Sequence, residues 1–338
     1  MKAAVCKGNK RIEVEEIPTP EPGPGQVLVK VKYSAICGTD VHTFIYDIAP
    51  PGAVMGHEFC GTVDWVGPAE SRWKVGDRVI GGGGTPPPGH SFGLRWDPRF
   101  KYRTMGFSDG RIRAFAEYTV MEEWEPTSVP DNVSDEAAAM CEPLAVAVHG
   151  VRVSQLKIGD YVGVLGAGPI GLLCLQVAKA AGASGVFVSE PSPARREAAL
   201  AVGADAVIDP TTEDVEARMV SLTGGLGPRV IYECAAAKST LHDGLNSVAR
   251  GGQVLLIALA WEPTAVLPVD WVGGEVNLQT SMGSRPEDWR IALELIASGK
   301  VDMRPLLSDA GFIPLEGIQE AFESLVKPTT QLQLVVKL

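Results

Sequence analysis

Several features are scarce in this sequence, and each absence narrows what the protein can be. No run of about 20 consecutive apolar residues occurs, so no membrane-spanning helix is expected. The first residues, MKAAVCKGNKRIEVEE, lack an apolar core long enough for a secretory signal, and a cytoplasmic location is the expectation. The six cysteines stand at 6, 37, 60, 141, 174 and 234, with no CxxC pair and no dense framework. That pattern points to reduced thiols, some of which can serve as ligands. Basic residues are outnumbered by acidic ones, 30 to 41, for a net charge of -11. An acidic surface repels phosphate backbones and anionic lipid, so neither nucleic acid nor membrane is expected as a partner. No internal repeat is visible.

What is present is ordinary globular material, 338 residues with 45% hydrophobic content. At about 150 residues per domain this predicts two domains, each able to build a core without disulfides. Residues 1–160 read as mostly β. Gln26–Tyr33 alternates apolar and polar residues as a half-buried strand does, and the turn clusters PTPEPGPG (18–25) and GGGGTPPPG (81–89) break up helix. Near 155 the pattern changes. Strands are expected at Tyr161–Leu165, Val186–Glu190, Ala206–Asp209, Arg229–Cys234, Gln253–Ala258 and Val276–Ser281. Between them Ile170–Ala181, Pro193–Val202, Glu213–Thr223 and Ser239–Ala249 read as helices. Six strands alternating with helices predict an α/β doubly wound parallel sheet of the dinucleotide-binding kind. After Gly283, helices near Glu287–Ser298 and Leu315–Leu325 lead to a closing strand over 331–338 that can pack back on the first domain. The expected division is 1–150, 151–284, and 285–338 returning to the first domain.

The first of the six strands runs into VLGAGPIG, in which Gly166, Gly168 and Gly171 spell G-x-G-x-x-G around Pro169 and Ile170. The first glycine permits a tight turn, the second lets backbone approach a pyrophosphate, and the third lets helix and strand pack closely. Free N–H groups at the helix start then face the phosphate charge. Glu190, 24 positions after Gly166 and at the end of the next strand, is placed to accept hydrogen bonds from ribose hydroxyls. Its carboxylate disfavours a 2′-phosphate, which predicts NAD over NADP. Arg195 and Arg196 are close by, and either could pair with that phosphate or simply face solvent.

Three clusters in the first half carry potential metal ligands: Cys37-Gly-Thr-Asp-Val-His42, Gly56-His57-Glu58 and Cys141-Glu142-Pro143-Leu144. A thiolate, an imidazole and one or two carboxylates suit a catalytic zinc with one open position. Taken singly, Cys37 reads equally as a small core residue, His57 as a hydrogen-bonded core histidine and Glu142 as a surface acid.

Together with the glycine fingerprint, the ordered segments CGTDVH, GHE with its trailing GTV, VGDRV (75–79), EPLAVAVHG (142–150) and FIPLEGIQEAF (312–322) resemble the medium-chain, zinc-dependent alcohol dehydrogenase family over essentially the whole chain. EPLAVAVH resembles the polyol branch (sorbitol, xylitol and butanediol dehydrogenases), and CGTDVH also resembles threonine dehydrogenase. The resemblance implies a mostly β, GroES-like catalytic domain beside the dinucleotide-binding domain. It implies that Cys37 and His57 ligate one zinc ion and that either Glu142 or Glu58 completes the protein's share. Asp40 resembles the carboxylate that orients a ligating imidazole. The implied chemistry is hydride transfer between a secondary alcohol and C4 of NAD, with the ion's Lewis acidity lowering the alcohol pKa. Thr39 is implied to take the alcohol proton and pass it through the cofactor ribose towards His42.

The family's second, structural zinc takes four closely spaced cysteines, and none lies between Cys60 and Cys141, so that ion is not expected. In its place stands 81–111, where Arg95, Arg99, Lys101 and Arg103 lie among Phe92, Trp96, Phe100 and Tyr102. Such a cluster can bind an anionic substrate group, or serve as a solvated loop or subunit contact. The expected substrate is a polyol, vicinal diol or sugar-like alcohol or its ketone. Competing readings are a threonine dehydrogenase, a zinc-free quinone reductase and a non-enzymatic dinucleotide-binding protein. Family members are commonly homodimers or homotetramers, and the strand near 276–281 can pair across a two-fold axis.

Overall fold

The computed structural model describes residues 1–67, 71–88, 110–326 and 331–338. The chain divides into two compact units, Met1–Glu142 with Leu307–Leu338, and Pro143–Leu306. The limits expected from sequence, 150/151 and 284/285, thus move to 142/143 and 306/307. The shift at the second limit has a local cause. Helix Pro286–Ala297 carries Asp288 in its first turn, and that buried carboxylate takes His149 Nδ1 at 2.8 Å, the Arg285 amide at 2.7 Å and the Arg152 guanidinium. This helix therefore belongs with the second unit rather than with the returning segment.

In the first unit, strand Gln26–Ala35 organises a seven-stranded sheet. It pairs antiparallel with Glu58–Val66, Tyr118–Glu122 and the C-terminal strand Val335–Lys337. The last pairing, with Leu338 N donating to Lys32 O at 3.0 Å, ties the end of the chain into this unit. A two-stranded ribbon, Lys2–Gly8 with Arg11–Glu16, adds to it. Among the described residues, one apolar cluster gathers around Phe44, Met55, Phe115 and Phe322 and another around Val29, Val63, Trp73 and Val79. The segment expected to be mostly β also holds helices Gly38–Ile45, Asp135–Ala139 and Cys141–Val153. The last of these is apolar on nearly every side, so it shows little of the periodicity that marks an amphipathic helix.

The second unit is a six-stranded parallel sheet in the order Ala206–Ile208, Gly185–Ser189, Tyr161–Leu165, Val230–Glu233, Gln253–Leu256 and Asn277–Thr280. Numbered along the chain this is 3-2-1-4-5-6, the doubly wound arrangement expected. All five pairings are parallel. The four inner strands are apolar runs, buried along almost all of their length, as a sheet covered by helices requires. Helices Pro169–Ala180, Pro193–Ala201, Val215–Leu222 and Thr240–Ser247 lie where the periodicity placed them, within two residues at each end. Helix Pro268–Gly274, which the sequence did not suggest, precedes the edge strand and buries none of its residues. The edge strand Asn277–Thr280 is likewise exposed along its whole length.

Candidate active site

The candidate metal site begins at the end of strand Gln26–Ala35. Cys37 adopts an extended conformation and caps helix Gly38–Ile45. Its Sγ accepts the Thr39 amide at 3.4 Å, and Asp40 Oδ2 accepts the Cys37 amide at 3.1 Å. This reciprocal capping box fixes where the helix starts. It also places the sulfur at the positive end of the helix, where a thiolate is favoured. Thr39 and His42, one turn apart, share a face of the same helix.

The second contribution comes from strand pairing. Ala35 lies opposite Glu58 in the antiparallel register, so Glu58 stands beside the Cys37 segment. Just before it the chain turns at Gly56, which has φ 98° and where a Cβ would lie 2.8 Å from the Phe115 amide nitrogen. Only glycine fits there. The turn delivers His57, whose Nδ1 lies 3.4 Å from Asp40 Oδ1 and whose ring also hydrogen-bonds the Cys37 side chain. One sulfur, one imidazole nitrogen and one carboxylate oxygen of Cys37, His57 and Glu58 all lie within 4.8 Å of one another. A tetrahedral zinc shell has ligand–ligand separations of about 3.5 Å, so a small closure suffices.

The electrostatics fit a cation. Burial pushes the Cys37 thiol up to about 12, with Glu58 and Glu142 adding to the shift and His57 opposing it. Burial, then Glu142, pushes the Glu58 carboxyl up to about 8. Burial works against a charged His57, but Asp40 and Cys37 outweigh it and hold the imidazole well above its ordinary value. Glu58 Oε2 is buried and finds no hydrogen-bond partner among the described residues. Such a cluster of clashing acids beside a thiol is stabilised by a divalent ion.

Glu142 sits in the first turn of helix Cys141–Val153 and is buried. Its charge reaches Cys37 and Glu58, yet it is outside the group of three whose ligand atoms converge. His42 has its basicity lowered by burial, and its ring centroid lies 6.4 Å from that of Tyr46. Arg95, Arg99, Lys101 and Arg103, with the aromatic residues among them, lie outside the described residues.

In the second unit Gly166 has φ 96°, and a Cβ on it would stand 2.8 Å from the Ala235 Cβ. Gly168 caps helix Pro169–Ala180, with Pro169 at its first position and Ile170 after it. A Cβ on Gly171 would fall 1.9 Å from Gly166 O, so the helix can approach the turn only without a side chain there. Glu190 is buried after strand Gly185–Ser189 and braces the turn. Its Oε2 accepts the Ala167 amide at 2.8 Å and its Oε1 the Ser192 amide at 2.9 Å. The two arginines separate. Arg196 is bound to Asp209 at 3.0 Å and to the carbonyls of Glu190 and Pro191. The Arg195 guanidinium reaches Gly168, 3.9 Å from where a Cβ there would be. Sequence reasoning passed over Glu233, a buried acid at the end of the fourth strand. Its signal is an acid closing the apolar run Val230–Tyr232.

Two family models match the chain, the alcohol dehydrogenase GroES-like domain over residues 23–131 and the zinc-binding dehydrogenase over 169–298. The (R,R)-butanediol dehydrogenase of Bacillus subtilis is 34% identical, over 100% of this chain and 99% of that protein. The chain belongs to the zinc-dependent, medium-chain alcohol dehydrogenase family.

Within this family, human sorbitol dehydrogenase is 33% identical over 96% of the chain and 92% of its own length. L-threonine 3-dehydrogenase of Mesorhizobium japonicum is 34% identical over 96% and 95%. The crystal structure of the Bacillus subtilis 2R,3R-butanediol dehydrogenase superposes with a TM-score of 0.87 at 32% identity, covering 100% of this chain and 99% of that one. A zinc-binding dehydrogenase from Sinorhizobium meliloti, bound to NADP, gives 0.87 at 30% identity with the same coverage. The chain is therefore a zinc-containing medium-chain dehydrogenase with a GroES-like domain and a Rossmann-type sheet. A nicotinamide dinucleotide is the cofactor class that goes with this membership.

Proposed function

We propose that this chain oxidises a vicinal diol or polyol at a secondary alcohol carbon, using NAD and one zinc ion. The observation that carries the reading is the convergence of Cys37, His57 and Glu58 ligand atoms with Asp40 behind the imidazole. The likeness to butanediol and sorbitol dehydrogenases over nearly the full length supports the substrate class.

Cys37, His57 and Glu58 are the protein ligands in this reading, and Glu142 tunes them through its charge. Asp40 accepts a hydrogen bond from Nδ1–H and so keeps Nε2 directed to the ion. Bound there, a zinc ion would supply Lewis acidity towards the alcohol oxygen, and a nicotinamide dinucleotide would accept the hydride. Thr39 accepts the alcohol proton and passes its own on towards His42, whose basicity burial lowers. Gly166, Gly168, Pro169, Ile170 and Gly171 receive the pyrophosphate, with Arg195 beside Gly168 as a cation for it. Glu190 faces the adenosine ribose and favours NAD, since Arg196 is already committed to Asp209.

A homodimer goes with this reading. Edge strand Asn277–Thr280 presents unpaired backbone, and Leu267, Val269, Val272 and Leu278 are 40–76% exposed around it. Such an edge needs a cover, and a second copy supplies a matching strand.

The deciding experiment is metal analysis of the purified protein combined with NAD- and NADP-linked assays on butanediols, polyols and hydroxy amino acids. The expected result is one zinc per chain and NAD-dependent diol or polyol oxidation. Preferential oxidation of threonine, or full activity after the metal is stripped, would reject the proposal.

A further inference from the structure

In the doubly wound sheet the strand order reverses between Tyr161–Leu165 and Val230–Glu233. Ligands of such sheets bind in the crevice outside the carboxyl ends of these two strands. One lip of that crevice is the turn at 166–169. The other is the turn at 234–237, to which no role has yet been given. The two lips touch. Cys234 N donates to Leu165 O at 2.9 Å, and a Cβ on Gly166 would meet Ala235 at 2.8–3.2 Å.

The second lip holds a conformation that its own residue disfavours. Ala236 has φ 52°, in the left-handed region that only glycine enters freely. Glu233 keeps it there. Its side chain is 3% exposed, and among the described residues it has no cationic partner. Instead Oε1 accepts the Ala235 amide at 3.0 Å, the Ala236 amide at 2.8 Å and the Thr240 hydroxyl at 2.8 Å. The Glu233 carbonyl is also held, by the amides of Ile257 and Ala258 at 3.0 and 3.1 Å. A buried carboxylate supported by three donors on one oxygen is rigid, and backbone strain that persists needs such a frame.

We propose that Glu233 is a positioning residue for the dinucleotide: it locks the turn at 234–237 into the left-handed shape that forms the nicotinamide-side lip of the crevice. The side follows from the sheet. Glu190 ends the strand on the other flank of Tyr161–Leu165 and marks the adenosine half, which leaves the Val230–Glu233 flank to the nicotinamide half. The inference rests on the NAD-linked reading above. Preformed backbone at this lip lowers the ordering cost of binding, so its loss appears as weaker dinucleotide affinity.

The test compares the parent protein with Glu233→Ala, Glu233→Gln and each of these combined with Ala236→Gly. NADH binding is titrated by fluorescence, folding is followed by circular dichroism melting, and KM for NAD is separated from kcat. Glu233→Ala is expected to weaken NADH binding about tenfold, and Glu233→Gln, which keeps a neutral acceptor, about threefold. In both cases the loss falls on KM rather than kcat. Adding Ala236→Gly restores affinity, because glycine takes the left-handed turn without help. Parent-like NADH affinity in a folded Glu233→Ala protein overturns the proposal, and so does a loss that the added glycine leaves unrepaired. Should Glu233→Ala not fold, the Glu233→Gln pair decides by the same two criteria. A parent protein that binds no NADH overturns the NAD-linked reading itself, and this inference with it.

Discussion

Asp40 and His57 meet at 3.4 Å, Oδ1 to Nδ1, while the other Asp40 oxygen accepts the Cys37 amide at 3.1 Å. One buried carboxylate thus sets both the start of the Cys37 helix and the orientation of the imidazole opposite it. The segments that carry Cys37 and His57, 20 residues apart, are thus joined through this one carboxylate.

Asp40→Asn keeps the side-chain volume and weakens the hold on His57. Zinc affinity or kcat/KM is expected to fall by about 10–100-fold, the usual scale for losing a partner of a ligating histidine. Competition against a chromogenic chelator measures the first and initial rates the second. Unchanged values in both would remove Asp40 from the metal assembly.

Cys37→Ser and His57→Ala remove ligands, and both are expected to lose zinc and turnover together. Thr39→Ala is expected to retain zinc while kcat drops by about 10²-fold, since only the proton path is cut. Metal content by plasma emission alongside kcat separates the two patterns. Zinc loss in Thr39→Ala would show that the threonine acts on the site rather than on the proton.

Glu190→Ser takes away the carboxylate after strand Gly185–Ser189. The KM for NAD is expected to rise by about tenfold or more, the cost of a charge-assisted hydrogen bond to the ribose. The NADP-to-NAD ratio of kcat/KM is expected to rise with it, because repulsion of the 2′-phosphate is gone. Glu190→Gln, which keeps an acceptor for the Ala167 amide, checks that the turn itself has not collapsed. An unaltered ratio in both variants would take cofactor choice away from Glu190.

Asp288 makes stability depend on pH. Burial raises its carboxyl, but the bonds from His149, the Arg285 amide and Arg152 outweigh burial and hold it below its ordinary value. A group lowered in the folded state stabilises above its unfolded pKa of about 3.9, and that share is lost as pH falls through the folded value. Asp288→Asn is expected to cost roughly 2 kcal/mol at neutral pH. The gap between parent and variant is expected to narrow as pH drops below about 4. Melting temperatures of both proteins across that range test it, and a gap that widens in acid would contradict the assignment.

Much of this protein was legible along the chain because the information is local. The apolar runs Tyr161–Leu165, Val186–Val188 and Val230–Tyr232 need only neighbouring residues to declare a buried strand. Ser192-Pro193 announces a helix start by itself, and the G-x-G-x-x-G spacing of 166–171 is complete within six residues, although the neighbour that crowds Gly166, Ala235, is distant in sequence. Elements whose logic is not local were missed. Helix Cys141–Val153 is apolar nearly all round, and helix Pro268–Gly274 buries nothing within its own chain. The candidate metal site divides in the same way. Residue types alone nominated Cys37, His57, Glu58 and Glu142 without choosing between the two glutamates. The antiparallel register that sets Ala35 against Glu58 brought that glutamate's oxygen within 4.8 Å of the sulfur and the imidazole, and left Glu142 outside the group. Distances between residues far apart in sequence follow from strand pairing and core packing, so only the tertiary structure shows which of these side chains converge.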